Sequence, residues 1–131
     1  MPQGDEHPLL RLRVQGAAAG IYFCRISPTS GFEGDEYISS IPVSDQKKFD
    51  VRFFRLAALG HLNNPEQFRD EGDGIWFIKV PGHRLACFKY RTDWIVITSG
   101  YKKDPKDKKR VQAVERAKTI RAQLLKALNE P

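Results

Sequence analysis

The residues most able to do chemistry in this chain are cations set along one short apolar stretch. Residues 74–103 read GIWFIKVPGHRLACFKYRTDWIVITSGYKK, with Lys79, Arg84, Lys89 and Arg91 spaced among strand-forming residues and Tyr101-Lys102-Lys103 at the end. Pro81-Gly82 and Thr92-Asp93 are turns short enough to force antiparallel neighbours, so the stretch predicts a three-strand meander. A small antiparallel sheet whose cations face one way is suited to holding a phosphate backbone. The two cysteines and three histidines are scattered, without zinc-ligand spacing, so the residues imply no metal site, and no cofactor is expected.

The charge balance points the same way. The net charge is +6, and residues 102–110 alone hold six bases, Lys106 among them, and two acids. Such an excess suits a polyanion partner, or an acidic protein that masks it. The competing reading is a solvated charged loop ahead of a helix.

Elements must position these side chains. Residues 9–14 alternate Leu10, Leu12 and Val14 with Arg11 and Arg13, the period of a half-buried strand. Residues 21–26, IYFCRI, form a second strand apolar enough for a central place, and the two could pair as a hairpin. A short helical turn is expected at 35–40. A longer helix follows Ser44 as N-cap, burying Phe49, Phe53, Leu56 and Leu59 and ending at Gly60. Residues 61–74 read as an exposed connector. The last element is a helix over about 108–128, capped by Asp107, with Ala113, Ala117, Ile120, Leu124 and Leu128 on one stripe.

At 131 residues the chain is long enough for one domain with a real core. Residues 1–8 read as a tail and 9–131 as the domain. The tail carries acids where a secretory signal has bases before an apolar core. No apolar run approaches the roughly 20 residues that span a membrane, so no membrane partner is expected. Cys24 and Cys87 lie in apolar runs and read as buried thiols, which makes a reducing cytoplasm the default location.

The residues Ile78-Lys79, Pro81-Gly82 and His83-Arg84-Leu85, followed by IVITSGYKK and a helix with Glu115-Arg116-Ala117, resemble the RelE/HigB toxin family. The likeness is strongest to the HigB-like branch often found in prophages. It covers roughly residues 20–125, with the specific part at 74–117, and the order of strand, helical pair and meander agrees. The resemblance implies an α+β fold: a small twisted antiparallel sheet with a helical pair and a C-terminal helix packed on one face. The open concave face would then carry the chemistry. It implies the toxin of a toxin–antitoxin pair, a messenger-RNA endoribonuclease commonly acting on the ribosome. Its partner would be a small helical or helix-turn-helix antitoxin.

Metal-independent RNA cleavage needs a base for the ribose 2′-OH, cations for the phosphate and an acid for the leaving 5′-oxygen. By this resemblance Arg84, Lys102 and Lys79 are the catalytic candidates and Lys103 and Tyr101 RNA-binding ones; the basic pattern adds Lys89, Arg91 and Lys106 as further RNA-binding candidates. His83 is a possible acid or base by its ordinary titration range. As Arg84's strand neighbour, however, it points to the opposite face, and packing is its expected role. Two departures count against catalysis: Ile75 and Phe77 stand where well-known members carry lysines, and no tyrosine follows between Asp104 and Leu128. The alternatives are a ParE-like toxin that poisons gyrase without catalysis, and a basic nucleic-acid-binding module.

Overall fold

A computed structural model describes residues 7–129. The elements run β1 (Leu10–Gln15), β2 (Gly20–Cys24), α1 (Glu33–Ser40), α2 (Val43–Leu59), β3 (Phe68–Gly72), β4 (Ile75–Val80), β5 (His83–Tyr90), β6 (Trp94–Lys102) and α3 (Arg110–Ala127). All six strands form one sheet in the order β1-β2-β6-β5-β4-β3. The α+β class, the meander β4-β5-β6 and the hairpin β1-β2 agree with the sequence reading. Of the tail expected at 1–8, residues 1–6 lie outside the described residues.

The sheet is mixed rather than wholly antiparallel. β2 and β6 run parallel, with Ile21 opposite Ile95 and Phe23 opposite Ile97. The chain leaves β2 over the helical pair and returns through the meander, so its last strand meets β2 in the same direction.

The helices also do not share a face. One core cluster joins Phe49, Phe53 and Leu56 of α2 and Ile38 of α1 to Ile21, Phe23, Ile78, Leu85, Cys87 and Ile97. The other joins Ala117, Ile120 and Leu124 of α3 to Tyr22, Ile75, Phe77, Phe88 and Val96. Alternation explains the two clusters. The inner strands are apolar at consecutive positions, so both pleat surfaces need cover, as in sheets buried on two sides. The expectation of all helices on one face and an open concave face opposite is thereby corrected.

Local chemistry accounts for most boundaries. α2 ends where Gly60 adopts φ +77°, its N–H donating to the Leu56 carbonyl. Leu59 is exposed, and Ala57 takes the buried place beside Leu56. Ser44 is not the cap: α2 begins at Val43 after Pro42, without a side-chain cap hydrogen bond. The connector expected at 61–74 contains β3, paired to β4 through a two-residue turn. Asp73 and Gly74 both have positive φ (55° and 81°), the geometry that Asp-Gly hairpin turns favour. Among the described residues no helix is long and apolar enough to cross a membrane.

The β1-β2 link grips the end of α2. The Ala57 carbonyl accepts from the N–H groups of both Ala18 and Ala19, each at 2.9 Å. A Cβ at Gly16 would run into the backbone of Ala57. Backbone cannot swing aside as a side chain does, so Gly16→Ala should cost about 1–3 kcal/mol. Thermal unfolding followed by circular dichroism should show a midpoint several degrees lower; an unchanged midpoint would mean that the grip is loose.

Candidate nucleic-acid interface

Register brings three of the sequence candidates together. Lys79 of β4 faces Arg84 of β5, and Arg84 faces Tyr101 of β6. Cross-strand partners share a pleat surface, and the Tyr101 ring packs edge-on against Phe77 in the α3 cluster. The three therefore lie on the α3 side, at the end of the sheet where the β4-β5 turn sits.

Each is held by a specific contact. Lys79 Nζ donates to the Pro65 carbonyl at 3.2 Å. The Arg84 guanidinium donates to the carbonyls of Val80 (2.9 Å) and His83 (3.0 Å). The Tyr101 hydroxyl donates to Asp107 Oδ1 at 2.9 Å. Partial burial and then the Arg84 cation push the Lys79 ammonium below its ordinary range; Glu66 opposes them, Arg69 adds to them and Glu71 opposes least. Burial and the bond to Asp107 push the Tyr101 phenol well above its usual value, so it stays protonated. Asp107, expected as the helix cap, thus ties the β6-α3 link to the strand, and α3 starts two residues after Lys108.

Several contributing residues had no signal in the sequence reading. Arg52 of α2 shares with Arg84 a cleft of about 330 Å³, lined also by Asn64, Glu66, Gln67, Val80 and Pro81. Arg52 Nε donates to the Lys79 carbonyl. Glu71, whose side chain is only 3% exposed, accepts from Arg110 at 2.7 Å and has Arg69 at 3.9 Å. The Asp-Gly turn at 73–74 could have revealed β3 and so Glu71; nothing local pairs Arg52 with Arg84.

The remaining candidates are dispersed. Lys102 is the register partner of His83, not of Arg84, and belongs to the other pleat surface. Lys103, whose N–H donates to the Gly82 carbonyl, and the exposed Lys106 lie in the link beyond β6. Lys89 sits on the α1-α2 side, its ammonium 4.4 Å from the Trp76 ring centre. Arg91 lies at the opposite end of the sheet over Tyr90 and Trp94. The expectation that these cations face one way is corrected, because the odd spacing from Arg84 to Lys89 puts them on opposite surfaces.

His83 is buried away from Arg84, as strand alternation requires. Its Nδ1 lies 2.6 Å from the Tyr37 hydroxyl and its Nε2 3.2 Å from Asp45 Oδ2. This chain joins β5 to α1 and α2. Cys24 and Cys87 are buried free thiols in different clusters, and burial raises the Cys24 thiol to about 12. Among the described residues no group of three or more His, Cys, Asp or Glu could hold a metal ion.

No family model, curated protein or solved structure matches this chain.

Glu71 fastens the start of α3 to β3. Glu71→Gln keeps the volume and removes the charge that two arginines share, so a loss of about 1–3 kcal/mol is expected. Hydrogen exchange should accelerate first in the opening turns of α3; uniform acceleration across the sheet would contradict a local fastening.

Proposed function

We propose that this protein is the toxin of a toxin–antitoxin pair, an endoribonuclease of the RelE/HigB kind that cuts messenger RNA in the cytoplasm, commonly on the ribosome. The supporting observation is the row Lys79-Arg84-Tyr101 on adjacent strands, from which the chain continues directly into the basic segment 102–110. An acidic or helical antitoxin segment would mask the same cations.

The chemistry divides among these residues. Lys79, held below its ordinary range, accepts the 2′-OH proton as its neutral amine. The 2′-oxygen attacks phosphorus while the bond to the 5′-oxygen breaks. Arg84, always cationic, stabilises the charge on the non-bridging oxygens. The ammonium of Lys103, two positions beyond Tyr101 and so not on the surface of Lys102, protonates the leaving 5′-oxygen. The products are a 2′,3′-cyclic phosphate and a 5′-hydroxyl, and no divalent ion takes part.

One observation favours a second reading, binding without catalysis as in ParE-like toxins. Both Lys79 and Arg84 already donate to backbone carbonyls of their own surroundings, which suits a structural role. Primer extension on RNA from expressing cells, set beside a gyrase supercoiling assay, separates the two.

Three outcomes are expected. Arg84→Ala should abolish growth arrest on induction at wild-type protein level; full toxicity would remove the site. Cleavage should persist in EDTA and leave 5′-hydroxyl ends, and 5′-phosphate ends would overturn the mechanism. A base must be deprotonated to act, so kcat/KM should rise with pH and level off above the lowered titration of Lys79. In Lys79→Ala the rise should vanish with a loss of about 10²–10⁴-fold.

A further inference from the structure

A cavity of about 200 Å³ lies between the sheet and the first turns of α3, immediately beside Tyr101. Small residues create it: Ala86 and Ser99 are register partners on the sheet, and Ala113 faces them from α3. Its lining is largely apolar, and its size falls below the roughly 300–1,000 Å³ of drug-sized sites. The space suits one planar ring system.

Its charged and amide groups come from α1, from α3 and from Lys109 just ahead of α3. Glu33 opens α1, and Arg116 of α3 donates to its Oε1 at 2.8 Å and Oε2 at 3.5 Å. The bond to Glu33 raises the Arg116 guanidinium further, so Arg116 stays cationic. Gln112 of α3 lies on the same lining. A carboxylate has about four acceptor sites, so Glu33 can serve Arg116 and still accept from a ligand. A largely apolar slot with a carboxylate and a guanidinium in its lining matches guanine. That base offers adjacent ring and amino N–H donors, and its O6 and N7 accept from arginine. Adenine lacks the paired donors and pyrimidines fill less of the slot.

We propose that this cavity binds a guanine base carried on a phosphate-bearing chain, so that guanine next to the scissile phosphate sets the sequence preference. The proposal rests on the ribonuclease reading for its purpose but not for its binding chemistry. The Tyr101 ring forms the wall shared with the Lys79-Arg84 row, so a base in the slot would carry its phosphate toward those cations.

Binding can be tested without cleavage. Wild-type protein is titrated with guanosine, adenosine, cytidine and uridine 3′-monophosphates and with hexaribonucleotides holding one guanine or none, each followed by amide shifts. Guanosine 3′-monophosphate should bind at least tenfold more tightly than the others, with shifts at Ser99, Gln112 and Ala113. A tighter hexamer marks RNA as the ligand's source; equal affinity marks a free nucleotide and overturns the assignment to sequence preference. Glu33→Gln should bring the four mononucleotides within about twofold. Its ion pair is half exposed, so the fold should survive. Ala113→Leu should block all binding, and if it fails to fold the Glu33→Gln result alone decides. Equal affinities for the four bases in the wild type, or shifts confined to α2, would overturn the site. Guanine binding in a protein that cuts no RNA would overturn only the ribonuclease reading.

Discussion

The inner strands carry apolar side chains on both pleat surfaces, and the rest of the structure follows from covering them. Ile78, Leu85 and Ile97 face one way; Phe77, Phe88 and Val96 face the other, all essentially removed from solvent. At about 25 cal/mol per Å² of apolar surface, neither face could stay open without forfeiting several kcal/mol. The helical pair answers one face and α3 the other. The middle of the sheet is therefore closed, and charged side chains are confined to its ends and edges.

That confinement explains the character of the candidate site. Lys79 and Arg84 stand where β4 and β5 turn, close enough to the covered interior to lose water yet still partly exposed. Their orientation is supported from behind. The Tyr37-His83-Asp45 chain holds the next position of β5 against α1 and α2, and alternation then sends Arg84 to the α3 side. The link to α3 is held twice, by Tyr101 on Asp107 and by Glu71 on Arg110. Fixed donors are what phosphate stabilisation requires, because reorganising them during reaction would consume part of the gain.

The helix that closes the second face does not close it evenly. Where α3 meets Ala86 and Ser99 the opposing side chains are small, and a cavity remains beside the cations. Large residues farther along, Ile120 and Leu124, seat the helix firmly enough for the gap to persist. The same helix thus supplies core packing at one end and a lined recess at the other.

Much of the fold was legible from local pattern. Turn residues and alternation located the meander and the first hairpin, the period of Ala117, Ile120 and Leu124 located the buried stripe of α3, and the apolar runs around Cys24 and Cys87 marked interior strands. Consecutive apolar positions in β4 to β6 also carried the sign that both faces are buried, though a one-sided sheet was expected. The adjacency of Lys79 and Arg84 was implicit in the Pro81-Gly82 turn. Tertiary structure alone decided the parallel meeting of β2 with β6, the separation of Lys102 and Lys89 from Arg84, and pairs such as Glu71 with Arg110 or Glu33 with Arg116, the last 83 positions apart. Periodicity reports which side of its own element a residue occupies. Which elements become neighbours depends on the crossover path and the sheet register, and no short-range spacing encodes either.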